Sequence, residues 1–418
     1  MVTLLRTPYL ALLTALAVSV PVSAAEWVAE PAVSVRGEYD DNIRLTTAEH
    51  DSVWGLVLEP RLDLSRRSEL WDLSTRARVR ASQYPDEDQL DTTDAFLDIA
   101  SKRRFERGAI EASVGVADDT TLQNEFLDID TGLTANQIDR MRTSARLAGE
   151  YMFTEKTWLE LSTSYSKVDY DNGERYGLLD YDYLTPAARL IHQLNPKTQV
   201  FGIYSYSKAD YDTGTELESK THSLQLGAAY DITERWNISG SIGSRRTETS
   251  SVVTRLVAPT PGLEFLCGFL FPCDTILVPR DSKSTGVVYD ANLTREFETG
   301  SIKLSASQSI IPTSTGTDSE STQIGLTGIR NFSTKLRTQL AISYLESATV
   351  GGTTTRADTE RYRIAPSLTW RLDEALSLNA GYTYTRIKRD YSRRSNTADG
   401  NLVFVSLAYA WPRMAMSR

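Results

Sequence analysis

Between residues 146 and 170 the chain reads RLAGEYMFTEKTWLELSTSYSKVDY. Apolar and polar positions alternate, break at 154–157, and alternate again. One face collects Leu147, Tyr151, Leu159, Leu161 and Tyr165; the other collects Arg146, Glu150, Glu160, Ser162 and Ser164. A period of two predicts strands with one apolar side. Each arm is about twice the usual length of a globular strand. The pattern recurs along the chain, with candidate strands at 32–45, 52–65, 70–83, 91–104, 108–119, 138–153, 157–170, 179–194, 198–212, 218–232, 235–250, 282–297, 300–312, 320–332, 335–348, 358–372, 375–390 and 400–411.

The connectors alternate between two kinds. Short ones are FERG (105–108), TEK (154–156), NPK (195–197), TER (233–235), ETG (298–300), STK (333–335) and DEA (373–375). Between them lie longer polar segments, among them 120–137, 171–178, 251–281 and 392–399. Tight turns at one end and long loops at the other are the anatomy of an outer-membrane barrel, with both termini in the periplasm. The second strand puts Trp54, Leu56, Leu58, Pro60, Leu62 and Leu64 on one side, against Glu59, Arg61 and Asp63. A soluble sheet of such long strands lies far outside ordinary strand and sheet sizes. The apolar face therefore meets lipid, and the sheet must close because unpaired edge groups cannot sit in hydrocarbon. The expectation is an all-β, single transmembrane antiparallel β-barrel of 18 strands, with 16 as the alternative count.

The address agrees. Arg6 precedes an apolar run at 10–22 and the small residues VSAA, the three-part pattern of a secretory signal occupying 1–24, with the barrel at 25–418. No later segment has 18 consecutive apolar residues, so helical spans are not predicted. The destination is the outer membrane of a Gram-negative bacterium, with lipid and lipopolysaccharide as surroundings. Aromatics near strand ends, namely Trp27, Tyr39, Trp71, Tyr84, Trp158, Tyr211, Trp236, Tyr391 and Trp411, fit interfacial girdles. The last strand, GNLVFVSLAYAW, resembles the terminal strand that the outer-membrane assembly machinery recognises, although PRMAMSR follows the final aromatic.

Charge and chemistry narrow the reading further. There are 45 Lys+Arg against 55 Asp+Glu, a net charge of −10, with no basic domain or stripe, which argues against nucleic acid as a partner. Cys267 and Cys273, in CGFLFPC, are expected to form a disulfide in an exported chain. The surrounding segment 251–281 is unusually apolar for a loop; it is read as a lumen constriction, a cap over the mouth or a partner contact. The three histidines, His50, His192 and His222, have no Ser/Asp partner at motif-like spacing. G-x-S-x-G, H-E-x-x-H and phosphate-loop motifs are also absent. No catalytic residue, metal site or cofactor is predicted.

The polar faces supply the candidate site. Arg76, Arg78 and Arg80 of the third strand lie beside Asp94 and Asp98 of the fourth; Arg140, Arg142 and Arg146 follow on the sixth; Arg337, Arg361, Arg363 and Arg371 come late. Two readings stand: a self-neutralising charge ladder that stiffens the wall, and a guanidinium-lined path for an anionic solute or acidic sugar polymer.

The first mature strand, VSVRGEYDDNIRLT, carries a YDDNI element directly after the signal, and hairpins such as FGIYSYSKADYDTGTELESKTHSLQLGAAYDITERWNISGSIG (201–243) have the same texture. In this the chain resembles a family of outer-membrane β-barrel porins encoded with exopolysaccharide biosynthesis and export genes. The resemblance covers the mature chain. It implies a role in polysaccharide secretion or display, other polysaccharide-export components as partners, and no catalytic residues. The expected function is a conduit or accessory in exopolysaccharide export. The alternatives are an anchoring barrel whose loops bind a surface polymer or protein, and a general small-solute porin.

Overall fold

The computed structural model describes residues 26–124, 137–213, 217–257, 274–350, 357–391 and 394–417. The expected signal, both cysteines and the tip of the long central loop lie outside these. The strands are β1 (Glu26–Asp40), β2 (Val53–Arg67), β3 (Trp71–Gln83), β4 (Thr92–Phe105), β5 (Gly108–Thr120), β6 (Asp139–Thr154), β7 (Thr157–Tyr170), β8 (Tyr181–Asn195) and β9 (Thr198–Tyr211). They continue as β10 (Leu217–Thr233), β11 (Trp236–Val257), β12 (Asp274–Phe297), β13 (Gly300–Pro312), β14 (Asp318–Asn331), β15 (Leu336–Val350), β16 (Ala357–Arg371), β17 (Leu376–Tyr391) and β18 (Arg394–Ala410). Each pairs antiparallel with the next, and β18 returns to β1, from Ala32↔Ala410 to Asp40↔Leu402. This is the closed 18-stranded barrel that the periodicity predicts, at the higher of the two counts.

The short turns are local hydrogen-bonded motifs written in the sequence. Lys156 N donates to Thr154 Oγ1 (3.2 Å), Lys197 N to Asn195 Oδ1 (2.9 Å) and Ala375 N to Asp373 Oδ1 (2.8 Å). A Thr, Asn or Asp at the first position thus holds the amide two residues on, mimicking a backbone turn. These turns gather at one end of the barrel, the turn end, and the longer segments at the other, the loop end.

Three boundaries differ from expectation. First, β1 begins at Glu26 and ends at Asp40, so Tyr39 and Asp40 of the YDDNI element close the strand and residues 41–43 turn a corner. Asp41 accepts from Asn401 N (2.6 Å) and Nδ2 (2.7 Å) on β18. Asn42 Nδ2 donates to Thr46 O (3.0 Å) and Asp399 O (2.9 Å), while Thr46 N donates to Asn42 Oδ1 (3.0 Å). The element therefore clamps the first strand to the last. It also holds Leu45 at φ 44°, a region disfavoured without glycine, so that its side chain packs on Ile387 and Ala398. Asn42→Ala removes three hydrogen bonds at about 1 kcal/mol each. It is expected to lower the urea midpoint of the lipid-folded barrel, with Asp41→Ala doing likewise and Thr47→Ala leaving it unchanged.

Second, the segment after the last aromatic is not a loose tail. A short β19 (Met414–Ser417) pairs with the start of β1, from Glu26↔Ser417 to Ala29↔Met414, and lengthens the closing seam. Third, much of the predicted loop 251–281 is strand. Pairing of β11 with β12 continues through Ser251↔Arg280 to Val257↔Asp274, leaving 258–273 as the connection. Val, Thr, Ile and Leu make up most of this stretch, and the β-branched ones suit a ladder.

The outer face is apolar: Leu56, Leu58, Leu147, Leu161, Leu224, Leu226, Ile242, Ile364 and Val405 are all exposed. At the turn end, outward arginines stack on aromatic rings. Arg66 lies between Trp27 (5.8 Å) and Trp71 (4.8 Å), and Arg295 between Trp236 (4.8 Å) and Phe297 (4.5 Å). Such pairs suit an interface where one side is greasy and the other wet. Three aromatics expected in girdles point inward instead. Tyr84 and Tyr211 are buried inside the loop end, and Trp158 turns its indole N–H to Glu160 (3.4 Å). Strand propensity put them near strand ends; their parity puts them in the lumen.

Candidate functional site

Alternation along each strand delivers the predicted charged residues to the lumen. Facing strands bring Arg76 opposite Asp98 and Arg80 opposite Asp94. The ion pairs are partly with other neighbours. Arg76 Nε bonds Asp63 on β2 (2.6 Å), and Asp63 also takes Arg61 (2.9 Å). Arg78 lies 3.9 Å from Glu59 and over the Phe96 ring, 4.2 Å from its centroid. Arg80 pairs with Asp94. Arg140 grips the carboxylate of Asp119 through Nε (2.9 Å) and Nη2 (3.1 Å), and Arg142 adds a third bond (2.9 Å). The Arg140–Asp119 pair is fully buried. Asp119 was absent from the predicted set because it sits at the loop end of β5 beside a run of polar loop residues. Its register opposite Arg140 marks it. Around Asp63, Asp94 and Asp119 the wall is thus a compensated ladder.

Elsewhere it is not compensated. Among the described residues, Arg67, Arg146, Arg337, Arg363 and Arg371 form no ion pair. Arg67 ends β2, Arg371 ends β16 and Arg337 lies at the start of β15, all at the turn end, while Arg146 lies midway along β6. Arg67 and Arg146 line a vestibule of about 750 Å³, with Asp72, Lys102, Arg104 and Glu111. Here Lys102 pairs with Glu111 and Arg104 with Asp72 (2.5 Å), so the two remaining guanidiniums set the sign.

Barrel closure adds what linear order hides. Because β18 joins β1, the late arginines of β16 lie beside the early ones of β1 and β3. Arg361 and Arg363 share a cavity of about 280 Å³ with Arg36, Arg80, Glu38, Asp40 and Tyr84. Four guanidiniums face two carboxylates across it. Arg36 takes Glu38 (2.6 Å), and Glu38 also accepts from Tyr84 Oη (2.6 Å). Burial and the Glu38 carboxylate hold the Tyr84 phenol above its ordinary range, so it stays a donor. Arg36 was missed in the sequence because only the closing pair places it near Arg363.

The loop end is filled. Val53, Tyr84, Leu90 and Leu122 form one apolar cluster inside the mouth; Ile138, Val168, Tyr170, Leu178, Tyr181 and Tyr211 form a second; Leu45 and Ile387 a third. The lumen is therefore lined by charged and polar groups toward the turn end and packed with apolar clusters toward the loops. The three histidines are engaged separately by Ala48 O, Thr157 Oγ1 and Tyr204 Oη.

A closed antiparallel barrel with an apolar exterior and a charged interior is a porin-type barrel. The chain belongs to the family described as "Putative beta-barrel porin 2", whose model matches residues 21–242. No curated protein matches the chain. Among solved structures, the chain is similar to the closed form of the ferric-catecholate import receptor Fiu from E. coli K12, at 8% identity over 93% of this chain and 82% of that one, TM-score 0.48. It is similar to Pseudomonas aeruginosa OccK2 (OpdF) in complex with glucuronate at 11% identity over 92% and 98%, TM-score 0.46. The siderophore receptor PirA from Pseudomonas aeruginosa gives 9% identity over 94% and 81%, TM-score 0.45.

Proposed function

We propose that this barrel sits in the outer membrane of a Gram-negative bacterium, turn end toward the periplasm, and conducts an anionic solute outward, an acidic polysaccharide in an export system being the substrate class. The observation that carries the reading is the set of lumen guanidiniums without an ion pair, Arg67 and Arg146 in one vestibule and Arg337 and Arg371 at the turn end, together with the Arg36–Arg80–Arg361–Arg363 cavity. A vestibule whose unpaired charges are guanidiniums concentrates counter-charged solute, and guanidinium pairs bidentately with carboxylate. The test is planar-bilayer recording. The open channel should be anion-selective and blocked by a polyuronate added at the turn end. Arg67→Gln/Arg146→Gln/Arg337→Gln/Arg371→Gln should move the reversal potential toward cation preference and weaken the block. Equal selectivity in both forms would sink the reading.

A second reading has its own support. The apolar clusters that fill the loop end favour a barrel that anchors or displays, with loops binding a surface polymer. Absence of conductance with retained polymer binding would decide for it.

A further inference from the structure

One seam of the wall is incomplete. The ladder between β12 and β13 runs nine pairs, from Phe297↔Gly300 to Tyr289↔Gln308. By contrast β13 and β14 stay paired for thirteen, up to Pro312↔Asp318. The rungs that would carry the wall upward, Val288 against Ser309 through Thr285 against Pro312, are missing, while β12 continues on β11 alone. The side chains show where the β13–β14 hairpin goes. Ile324 is exposed on the outer face of β14, so even-numbered residues there face outward. On that same face, Glu320 pairs with Arg245, and Asp318 accepts from Ser219 and from Thr249 Oγ1 (3.4 Å). Arg245 and Ser219 are buried residues of the inner wall of β11 and β10. An outward face can meet an inner wall only if the wall's free edge at the top of β13 and β14 has tucked inside the barrel, behind β10–β12, with β14 still paired to β15 up to Asp318↔Val350. Its tip is docked there, with Leu179 N donating to Ser314 O (2.7 Å).

The seam opens at a definite height. Leu224 pairs with Ser244, and Ser244 with Val287; Leu224 and Val287 are exposed in the apolar belt. Just above, Lys220 and Lys283 bind Glu218 and Glu248 on the outer face. The gap thus begins in the margin of the belt and rises through the charged zone. An interrupted ladder facing hydrocarbon is costly; here the inserted hairpin backs it with polar groups, Gln308 Nε2 donating to Glu320 (2.6 Å).

We propose that this seam is a lateral portal between the lumen and the outer leaflet, latched by the β13–β14 hairpin, and that its ligand is an amphiphile with an anionic head and a hydrocarbon chain. The proposal rests on the outer-membrane reading above. Withdrawal of the hairpin removes Glu320 from Arg245, and the head anion takes the carboxylate's place. Gly286 beside it leaves the guanidinium its room: a Cβ there would lie 2.7 Å from Nη2. The chain stays outside, along Leu224 and Val287, while the head passes the hydroxyls of β13.

The test is bimane fluorescence in proteoliposomes containing phospholipid brominated on its acyl chains, in a Cys267→Ser/Cys273→Ser background. Ser309→Cys, exposed on the lumen side of the seam, carries the probe; Leu224→Cys, on the belt, reports insertion. Quenching at Ser309→Cys should be weak with the latch intact and rise several-fold in Asp318→Ala/Glu320→Ala, and also in the milder Glu320→Gln. Strong quenching at Leu224→Cys with no rise at Ser309→Cys overturns the portal and leaves the barrel reading standing, even if conductance increases. Equal quenching at Ser309→Cys in latched and released forms overturns the latch. No quenching at Leu224→Cys in a folded barrel overturns the membrane reading and the portal with it.

Discussion

Arg140→Ala should destabilise the folded barrel by about 3–5 kcal/mol, the cost of stranding one partner of a buried ion pair. Asp119 is fully buried and takes two bonds from Arg140. Its remaining cation, Arg142 at 2.9 Å, is itself a quarter exposed and offsets part of the loss. Arg142→Ala should therefore cost much less. Removing both charges, Arg140→Met with Asp119→Asn, should recover most of the stability, because what hurts is the uncompensated carboxylate rather than the loss of the pair. Urea titration of the lipid-folded protein measures all three. Equal effects of Arg140→Ala and Arg142→Ala would show that burial does not set the cost at this site.

The second large effect concerns conductance. Release of the inserted hairpin by Asp318→Ala/Glu320→Ala should raise single-channel conductance several-fold over the intact barrel. Those two carboxylates hold the hairpin against Ser219 and Arg245. Deletion of 258–273, the middle of the apolar segment 251–281 for which constriction is one of three sequence readings, should change it much less, because strand pairing carries β11 and β12 beyond the height of the hairpin. If neither change alters conductance, the limiting constriction is the apolar packing around Tyr170, Tyr181 and Tyr211. Tyr211→Ala would then be the opening mutation.

Much of this barrel is legible in linear order, for a physical reason. A membrane strand has lipid on one side and water or charge on the other, so a period of two is imposed at nearly every position. Leu56 and Leu58 against Glu59 and Arg61, or Ile364 and Pro366 against Arg361 and Arg363, declare both face and direction. The short turns declare themselves too, since Thr154, Asn195 and Asp373 act on amides two residues away. Strand ends are less clear. The YDDNI element has strand-like neighbours, yet its hydrogen bonds go to Asn401 and Asp399, more than 350 residues on. Nothing local announces such partners.

The sequence by itself determined the class of fold, the alternation of turns and loops and the two-residue period that sets each strand's faces, and narrowed the strand count to 18 or 16. Each of these follows from contacts between near neighbours or from solvent on one side. Only the tertiary structure decided which charges meet. Closure of β18 on β1 sets Arg363 beside Arg36, and the register of β5 on β6 sets Asp119 under Arg140. Only the tertiary structure, too, could show that the top of the β13–β14 hairpin, still paired to β15, parts from β12 and tucks behind β10–β12. Its residues keep the same alternation inside the barrel as in the wall, and a period of two cannot distinguish lipid from the inner surface of a neighbouring strand.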